Sequence, residues 1–333
     1  MKFFIPGGAG YIGTHISYML LENDHDVVIL DNFSNSSISS INSLENLSGK
    51  KVILYKGDVC NEEILSNIFN VHSFDGVIHL AALKSVSESI EQPKMYHKNN
   101  VEGTKCLLAA MRSFDIKNLV FSSSATVYGL PQYLPIDERH PLSSINPYAQ
   151  TKLNIEQELE TIAENEDDWK IVALRYFNPV GAHESGMIGE SPLNTPNNIM
   201  PYIVNVANKE LPYLKIFGND YDTKDGTTIR DFIHVLDLVD IHIIAAESLI
   251  NSGENEIYNC GYGVGFSIMD VIKEINSIIG SNLPLEFGER RKSDIVYSVA
   301  DNQKFLNKFD WKPKYNNLKT ILESALKWEK ILK

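Results

Sequence analysis

The chain has 333 residues, enough for one large or two ordinary domains with a substantial core. Its 30 basic and 43 acidic side chains leave a formal charge of −13, which argues against nucleic acid or an anionic membrane as a partner. An anionic small ligand stays possible wherever basic residues gather at one place. The cysteines Cys60, Cys106 and Cys260 form no C-x-x-C pair, which points to a reducing compartment and to no structural metal.

Taken in chain order, the first strand pattern is Lys2–Ile5. It begins at once, so no signal peptide is expected and the cytoplasm is the default location. No apolar run approaches the ~18 residues of a membrane span. The run Gly7-Gly8-Ala9-Gly10-Tyr11-Ile12-Gly13 follows, and it opens the helical pattern Tyr11–Asn23. Glycines there let backbone approach a pyrophosphate, and a helix N-terminus offers N–H groups and partial positive charge. The second strand pattern, Val27–Leu30, is followed by Asp31, 18 residues past Gly13. A carboxylate at that place accepts hydrogen bonds from an adenosine ribose and repels a 2′-phosphate, so NAD is expected over NADP. Ser34–Ser43 reads as a polar loop.

Strand patterns recur at Val52–Tyr55, Gly76–Leu80, Leu119–Ser122 and Ile171–Arg175. Helical patterns lie between several of them, at Glu62–Asn70, Pro93–Phe114 and Tyr148–Ile162. Such alternation predicts an α/β fold, a doubly wound parallel sheet of the Rossmann kind. Asp58, after the third strand, falls where adenine would lie. From about residue 176 prolines and glycines become dense, and Asp225-Gly226 marks a tight turn. The expected organisation is a dinucleotide-binding domain over 1–175 and a smaller mixed α/β lobe over 176–333. The apolar helical segment at about 235–250 is expected to pack back on the first domain.

The chemistry concentrates at Tyr148 and Lys152, four apart and therefore on one helix face. An ammonium there favours a tyrosinate, so a phenol that normally titrates near ~10 can act as a base near neutrality. By itself a Tyr-x-x-x-Lys pair describes a solvated helix face. With a glycine fingerprint upstream and Ser124 in a polar run after a strand, it is the equipment for oxidising an alcohol. The nine histidines show no spacing that suggests a metal site.

The motifs Gly7–Gly13, Gly57-Asp58-Val59, Ala81-Ala82-Leu83-Lys84, Ser122–Gly129 and Tyr148–Lys152 together resemble the extended short-chain dehydrogenases. Arg175–Ala182, Asn197–Pro201, Ile216–Tyr221 and Arg230–Val235 narrow the resemblance to the UDP-hexose 4-epimerases, over nearly the whole chain. Pro6 departs from the pattern, since the family usually has a hydroxyl residue there. The resemblance implies that Tyr148 takes the sugar 4-OH proton, that Ser124 relays it, and that Lys152 lowers the phenol and holds the nicotinamide ribose. For NAD it implies Gly7, Gly10, Tyr11, Ile12, Gly13, Asp31, Asn32, Asp58, Val59, Ala81, Lys84, Asn99, Tyr148, Lys152 and Phe177.

For the UDP-hexose it implies Lys84, Ser124, Tyr148, Asn178, Asn198, Ile199, Lys215, Ile216, Phe217, Arg230, Arg291, Asp294 and Ser298. Within that set Arg230 and Arg291 resemble diphosphate clamps, Phe217 a uracil platform and Asp294 a uridine-ribose ligand. Ser298, four past Asp294, resembles the gate beside the sugar. A bulky tyrosine there excludes an N-acetyl group, and a small residue admits UDP-N-acetylhexosamines. The family also implies a homodimer, paired through the helices Pro93–Phe114 and Tyr148–Ile162. Related dehydratases and decarboxylases place acidic residues after the catalytic hydroxyl, where this chain has Ala125 and Thr126. Neither can serve as that acid and base. A non-catalytic NAD-binding protein would have no need of Ser124, Tyr148 and Lys152 together.

Overall fold

The computed structural model describes residues 1–191, 193, 199–251, 253–291 and 294–330. They form two compact units. The first comprises Met1–Val127, Leu142–Arg175 and Val239–Tyr258; the second comprises Tyr128–Pro141, Tyr176–Leu238 and Asn259 onward.

The first unit is built on β1 (Lys2–Pro6), β2 (Asp26–Asp31), β3 (Ile53–Lys56), β4 (Gly76–His79), β5 (Asn118–Ser124) and β6 (Lys170–Tyr176). Strands β1 to β5 pair in parallel, with Phe3 opposite Val27 on one side of β1 and Gly76 on the other. The order runs β3-β2-β1-β4-β5-β6, and Glu256–Cys260 adds a seventh strand beyond β6. The reversal beside β1 is the switch point of a doubly wound sheet, where ligands bind outside the strand C-termini. Phe4, Val28, Leu30, Phe121 and Ile171 from the strands pack with Leu107, Met111, Ile155 and Leu159 from the helices in one buried cluster. Continuous apolar strands of this kind are what a sheet covered on both faces requires.

Two local expectations are corrected. Ser34–Ser43 is not all loop: a helix runs over Ile38–Ser48, entered through Ser37, whose hydroxyl accepts from the Ser39 N–H. Only Ile41 and Leu44 of that helix are buried, so its serine-rich sequence carried almost no apolar period. The single helix expected over Pro93–Phe114 is helical at Pro93–Tyr96 and Gly103–Ser113 but widens to a π-helical stretch at His97–Glu102. That widening turns Asn100 inward, and π-bulges of this type commonly stand at functional sites.

The strand Glu256–Cys260, seventh in the first sheet, is β10; only its Asn259 and Cys260 fall in the second unit. The second unit holds β7 (Asn178–Val180), β8 (Leu214–Phe217), β9 (Ile229–His234), β11 (Gly265–Ser267), β12 (Leu285–Gly288) and β13 (Tyr297–Ser298). β9 is central, pairing β7, β11 and β13, while β8 pairs β12. Helices Ile199–Ala207, Ile268–Ile279 and Leu318–Trp328 bury Ile203, Ile275 and Leu322 against Ile216 and Phe232. Ser267 and Asp270 cap the middle helix reciprocally. The helix Val235–Asn251 begins in this unit, and its residues from Val239 onward belong to the first. No composition shift in the sequence announces the assignment of Tyr128–Pro141 to the second unit.

Candidate active site

β1 ends at Pro6, whose carbonyl accepts from Leu80 N–H at 2.9 Å. Gly7 follows with φ +82°, and a Cβ there would stand 2.5 Å from the Ala81 nitrogen. At Gly13 a Cβ would stand 2.6 Å from the Gly7 carbonyl oxygen. Only glycine permits this loop to close on the helix and on the end of β4. Gly10 is different: a Cβ there would meet only the Gly7 oxygen, at 3.3 Å, so its other sides are open. The helix Tyr11–Glu22 starts at Gly10 with no side-chain cap and no acid in its first turn. Its leading N–H groups therefore suit an anion, and the cradle fits a pyrophosphate.

Asp31, at the end of β2, is buried and already tied down. One oxygen accepts from Ala9 N–H at 3.0 Å, and the other from Phe33 N–H at 2.9 Å and the Ser36 hydroxyl at 2.8 Å. It locks the glycine loop to the strand while leaving carboxylate lone pairs for ribose hydroxyls. Asn32 donates to Asp58 at 2.9 Å, joining the ends of β2 and β3. Val59 is buried, Ala81 backs Gly7, and Tyr11 and Ile12 are half-buried at the loop. Lys84 is exposed on the loop after β4. Asn99 donates to its neighbour Asn100 at 2.9 Å.

The reactive group comes from two elements. β5 delivers Ser122 to Ser124, and the helix Pro147–Asn165 delivers Tyr148 and Lys152. That helix starts sharply because the Asn146 side chain accepts from Ala149 N–H at 2.8 Å, with Pro147 in the first position. The Ser124 side chain stands beside the Tyr148 phenol, and its hydroxyl accepts from Thr126 Oγ1 at 3.0 Å. Lys152 Nζ is buried, donates to the Ser122 carbonyl at 2.6 Å and lies 4.8 Å over the Phe121 ring.

The electrostatics correct one expectation. Burial pushes the Tyr148 phenol above its usual value, and the Ser124 side chain beside it offsets that only in part. The Lys152 ammonium is turned onto the Ser122 carbonyl. Burial brings Lys152 itself down to about 7, with the Glu156 carboxylate opposing. Desolvation outweighs the pairing that the four-residue spacing suggested.

Asn100 was missed in the sequence. Its amide donates to Leu83 carbonyl and to Thr151 Oγ1, both at 3.0 Å, and its oxygen accepts from Leu83 N–H at 2.8 Å. It ties the loop after β4 to the helix of Tyr148 and Lys152. The asparagine pair inside the helix expected over Pro93–Phe114 was the available signal.

The second unit gathers a basic cluster. Arg230 and Arg291 both approach Asp294, at 3.6 and 3.9 Å. The Arg291 guanidinium lies 4.3 Å over Phe217, and Lys215 Nζ lies 5.6 Å from the same ring. Ile216 is buried beneath. Two further members escaped the sequence: Tyr221, which donates towards Asp294 at 3.5 Å, and Arg290, stacked 4.3 Å over Tyr221 and bonded to Asp220 at 2.7 Å. Ser298 is buried on β13, opposite Arg230 on β9. Tyr297 donates to the Asp222 carbonyl at 3.1 Å. Asn178 is half-buried in β7, opposite Phe232, and Ile199 opens the helix Ile199–Ala207. Phe177 is buried, with its N–H on the Cys260 carbonyl at 3.1 Å. Asn198 lies outside the described residues. Among the described residues no group of three His, Cys, Asp or Glu side chains could hold a metal, and no helix could cross a membrane.

Comparison with known proteins places this geometry. The model of the NAD dependent epimerase/dehydratase family matches residues 3–261. UDP-glucose 4-epimerase of Bacillus subtilis is 43% identical over 329 residues, 99% of this chain and 97% of that one. The Yersinia enterocolitica UDP-glucose 4-epimerase is 45% identical, covering 99% and 98%. Among solved structures, UDP-glucose 4-epimerase of Stenotrophomonas maltophila, with bound NAD and formylated UDP-arabinopyranose, superposes with a TM-score of 0.96 at 39% identity, covering 99% and 98%. The UDP-Glc/GlcNAc 4-epimerase of Campylobacter jejuni superposes with a TM-score of 0.86 at 35% identity, covering 99% of both chains.

Proposed function

Since the chain belongs to the NAD dependent epimerase/dehydratase family, among its UDP-glucose 4-epimerases, and takes NAD, we propose that it inverts C4 of UDP-hexoses through a transient 4-keto sugar. The observation that carries this is Ser124 beside the Tyr148 phenol, with Lys152 one helical turn away on the Ser122 carbonyl, in the same unit as the glycine cradle. Bound NAD supplies the hydride acceptor and a positive nicotinamide. Tyr148 takes the 4-OH proton and returns it, with Ser124 as the hydroxyl relay. The phenol, held above its usual ~10, must fall by more than about 3 pH units for this, on the order of 4 kcal/mol or more. Lys152, with its proton poised near neutrality, and a positively charged ring in a partly dry cleft supply it together. NAD, held by the glycine cradle and Asp31, would take the hydride from C4 and give it back to the other face of the ketose, so no cofactor would be consumed.

In the second unit, Arg230 and Arg291 suit a diphosphate, since guanidinium forks match phosphate oxygens. Phe217 with Lys215 and Ile216 suits a uracil, and Asp294 a ribose. Asn178 and Ile199 are read as diphosphate or sugar contacts. The pocket is read as admitting N-acetylated sugars too, because Ser298 stands at the gate. The test is a panel of UDP-Glc, UDP-Gal, UDP-GlcNAc and UDP-GalNAc with purified protein. Interconversion without loss of NAD supports the reading, whereas loss of water or no turnover refutes it.

The cofactor choice has its own test. The Asp31 carboxylate beside the ribose position repels a 2′-phosphate, so denatured protein is expected to release NAD or NADH. Mainly NADP in the mass spectrum would remove that role from Asp31. We read the chain as cytoplasmic and as a homodimer through helices that carry exposed Glu158, Glu160 and Glu164 on one and exposed Lys98 and Lys105 on the other. Sedimentation of the purified protein reads the dimer.

A further inference from the structure

Glu156 is two helical turns past Tyr148 and one past Lys152, on their face of the helix. It is buried, with its side chain 4% exposed, so its charge must be met by the chain itself. Arg175, on β6, grips it with both ends: Nε at 3.0 Å from one oxygen and a terminal nitrogen at 2.6 Å from the other. The first oxygen also accepts the hydroxyl of Ser123 on β5. Ser123 stands between the two residues of β5 that meet the reactive side chains. Ser122 gives its carbonyl to Lys152, and Ser124 stands beside the Tyr148 phenol.

We propose that Glu156 is a positioning residue for the Tyr148–Ser124–Lys152 group: through Ser123 and Arg175 it sets the register of the catalytic helix against the end of β5, and its carboxylate supports the Lys152 ammonium. The inference rests on the epimerase reading above. Two elements must present three groups to one sugar carbon, and a displacement near 1 Å can cost on the order of 100-fold in rate. Sequence-distant groups held to that tolerance need a cross-link deeper than the site, and the Ser123–Glu156–Arg175 chain is one. The charges that bear on Lys152 are few. Glu156 favours its ammonium from the same helix, and Arg175 on β6 is bonded to Glu156. His79 on β4 interacts with it but is buried, bonded to Thr104 at 2.8 Å and held neutral with its pKa brought down to about 3.

The experiment uses the NAD-loaded enzyme and measures kcat and KM for UDP-galactose across pH, with bound NAD as the check on folding. Ser123→Ala removes the tether and no charge. It is expected to lower kcat about tenfold, with KM and the alkaline limb unchanged. Glu156→Gln removes the anion. The Lys152 ammonium is then lost earlier as pH rises, so the alkaline limb of kcat should move down by on the order of one pH unit. Glu156→Asp keeps the charge and should restore the limb while kcat stays reduced. If Glu156→Gln does not fold, Ser123→Ala and Glu156→Asp decide alone. Wild-type kcat in Ser123→Ala with an unmoved limb in Glu156→Gln would overturn the proposal. Lack of turnover in the unmodified enzyme would instead overturn the epimerase reading.

Discussion

Replacing Tyr148 with Phe is expected to lower turnover of UDP-galactose at least ~100-fold while NAD stays bound. The substitution removes one oxygen and keeps the ring, so packing at the head of the helix is preserved. Lys152 keeps its bond to the Ser122 carbonyl, and Ser124 keeps its contact with Thr126. The lost function is therefore proton transfer alone. The Ser124→Ala, Tyr148→Phe double variant should be slower still, by less than the product of the single effects, because both groups serve one proton. Turnover is followed by coupled assay, and NAD by absorbance of the denatured protein. Near-normal turnover in Tyr148→Phe would exclude the phenol as the base.

The second large effect concerns sugar choice. Ser298→Tyr is expected to reduce kcat/KM for UDP-GlcNAc and UDP-GalNAc selectively, by about 10- to 100-fold, with UDP-Glc and UDP-Gal little changed. A large ring forced against an acetamido group costs roughly 1–3 kcal/mol, and each 1.4 kcal/mol is about tenfold. The competing candidate in this loop was Tyr297, one residue away. Successive side chains of a strand point to opposite faces, so Tyr297 and Ser298 on β13 do not share one. The Tyr297 hydroxyl is bonded to the Asp222 carbonyl. A wild-type enzyme inactive on UDP-GlcNAc would reject the gate reading.

The fold's first half was legible because its signals are local. Six strands declared themselves as short apolar runs and the glycine loop as a spacing, although the edge strand β3 is not buried as its apolar run suggested. In the second half the Asp225-Gly226 turn was legible as a dipeptide, and Asp225 accepts from Thr227 N–H at 3.0 Å. Where local signal was thin, the reading failed. The helix Ile38–Ser48 buries two residues, and the widened stretch at His97–Glu102 depends on what Asn100 meets in other elements. The short β13 has two residues, too few for any period.

For the site, the chain order of Gly7–Gly13, Asp31, Ser124, Tyr148 and Lys152 already showed which chemical groups are present and that they suit NAD-linked oxidation of an alcohol, while the UDP-sugar was implied only by the resemblance of Arg175–Ala182, Asn197–Pro201, Ile216–Tyr221 and Arg230–Val235. It did not determine their charge states. Spacing placed Lys152 near Tyr148 and so suggested a lowered phenol. The folded chain buries both, turns the ammonium onto the Ser122 carbonyl and leaves the phenol above its ordinary value. Nor could spacing reveal that Glu156 is joined to Ser123 and Arg175, or that Arg290 stacks on Tyr221 beside Asp294. Those contacts join residues up to 73 positions apart. Motifs are short-range and survive in sequence, whereas desolvation and long-range pairing depend on what the fold packs around each group, and only the tertiary structure decides that.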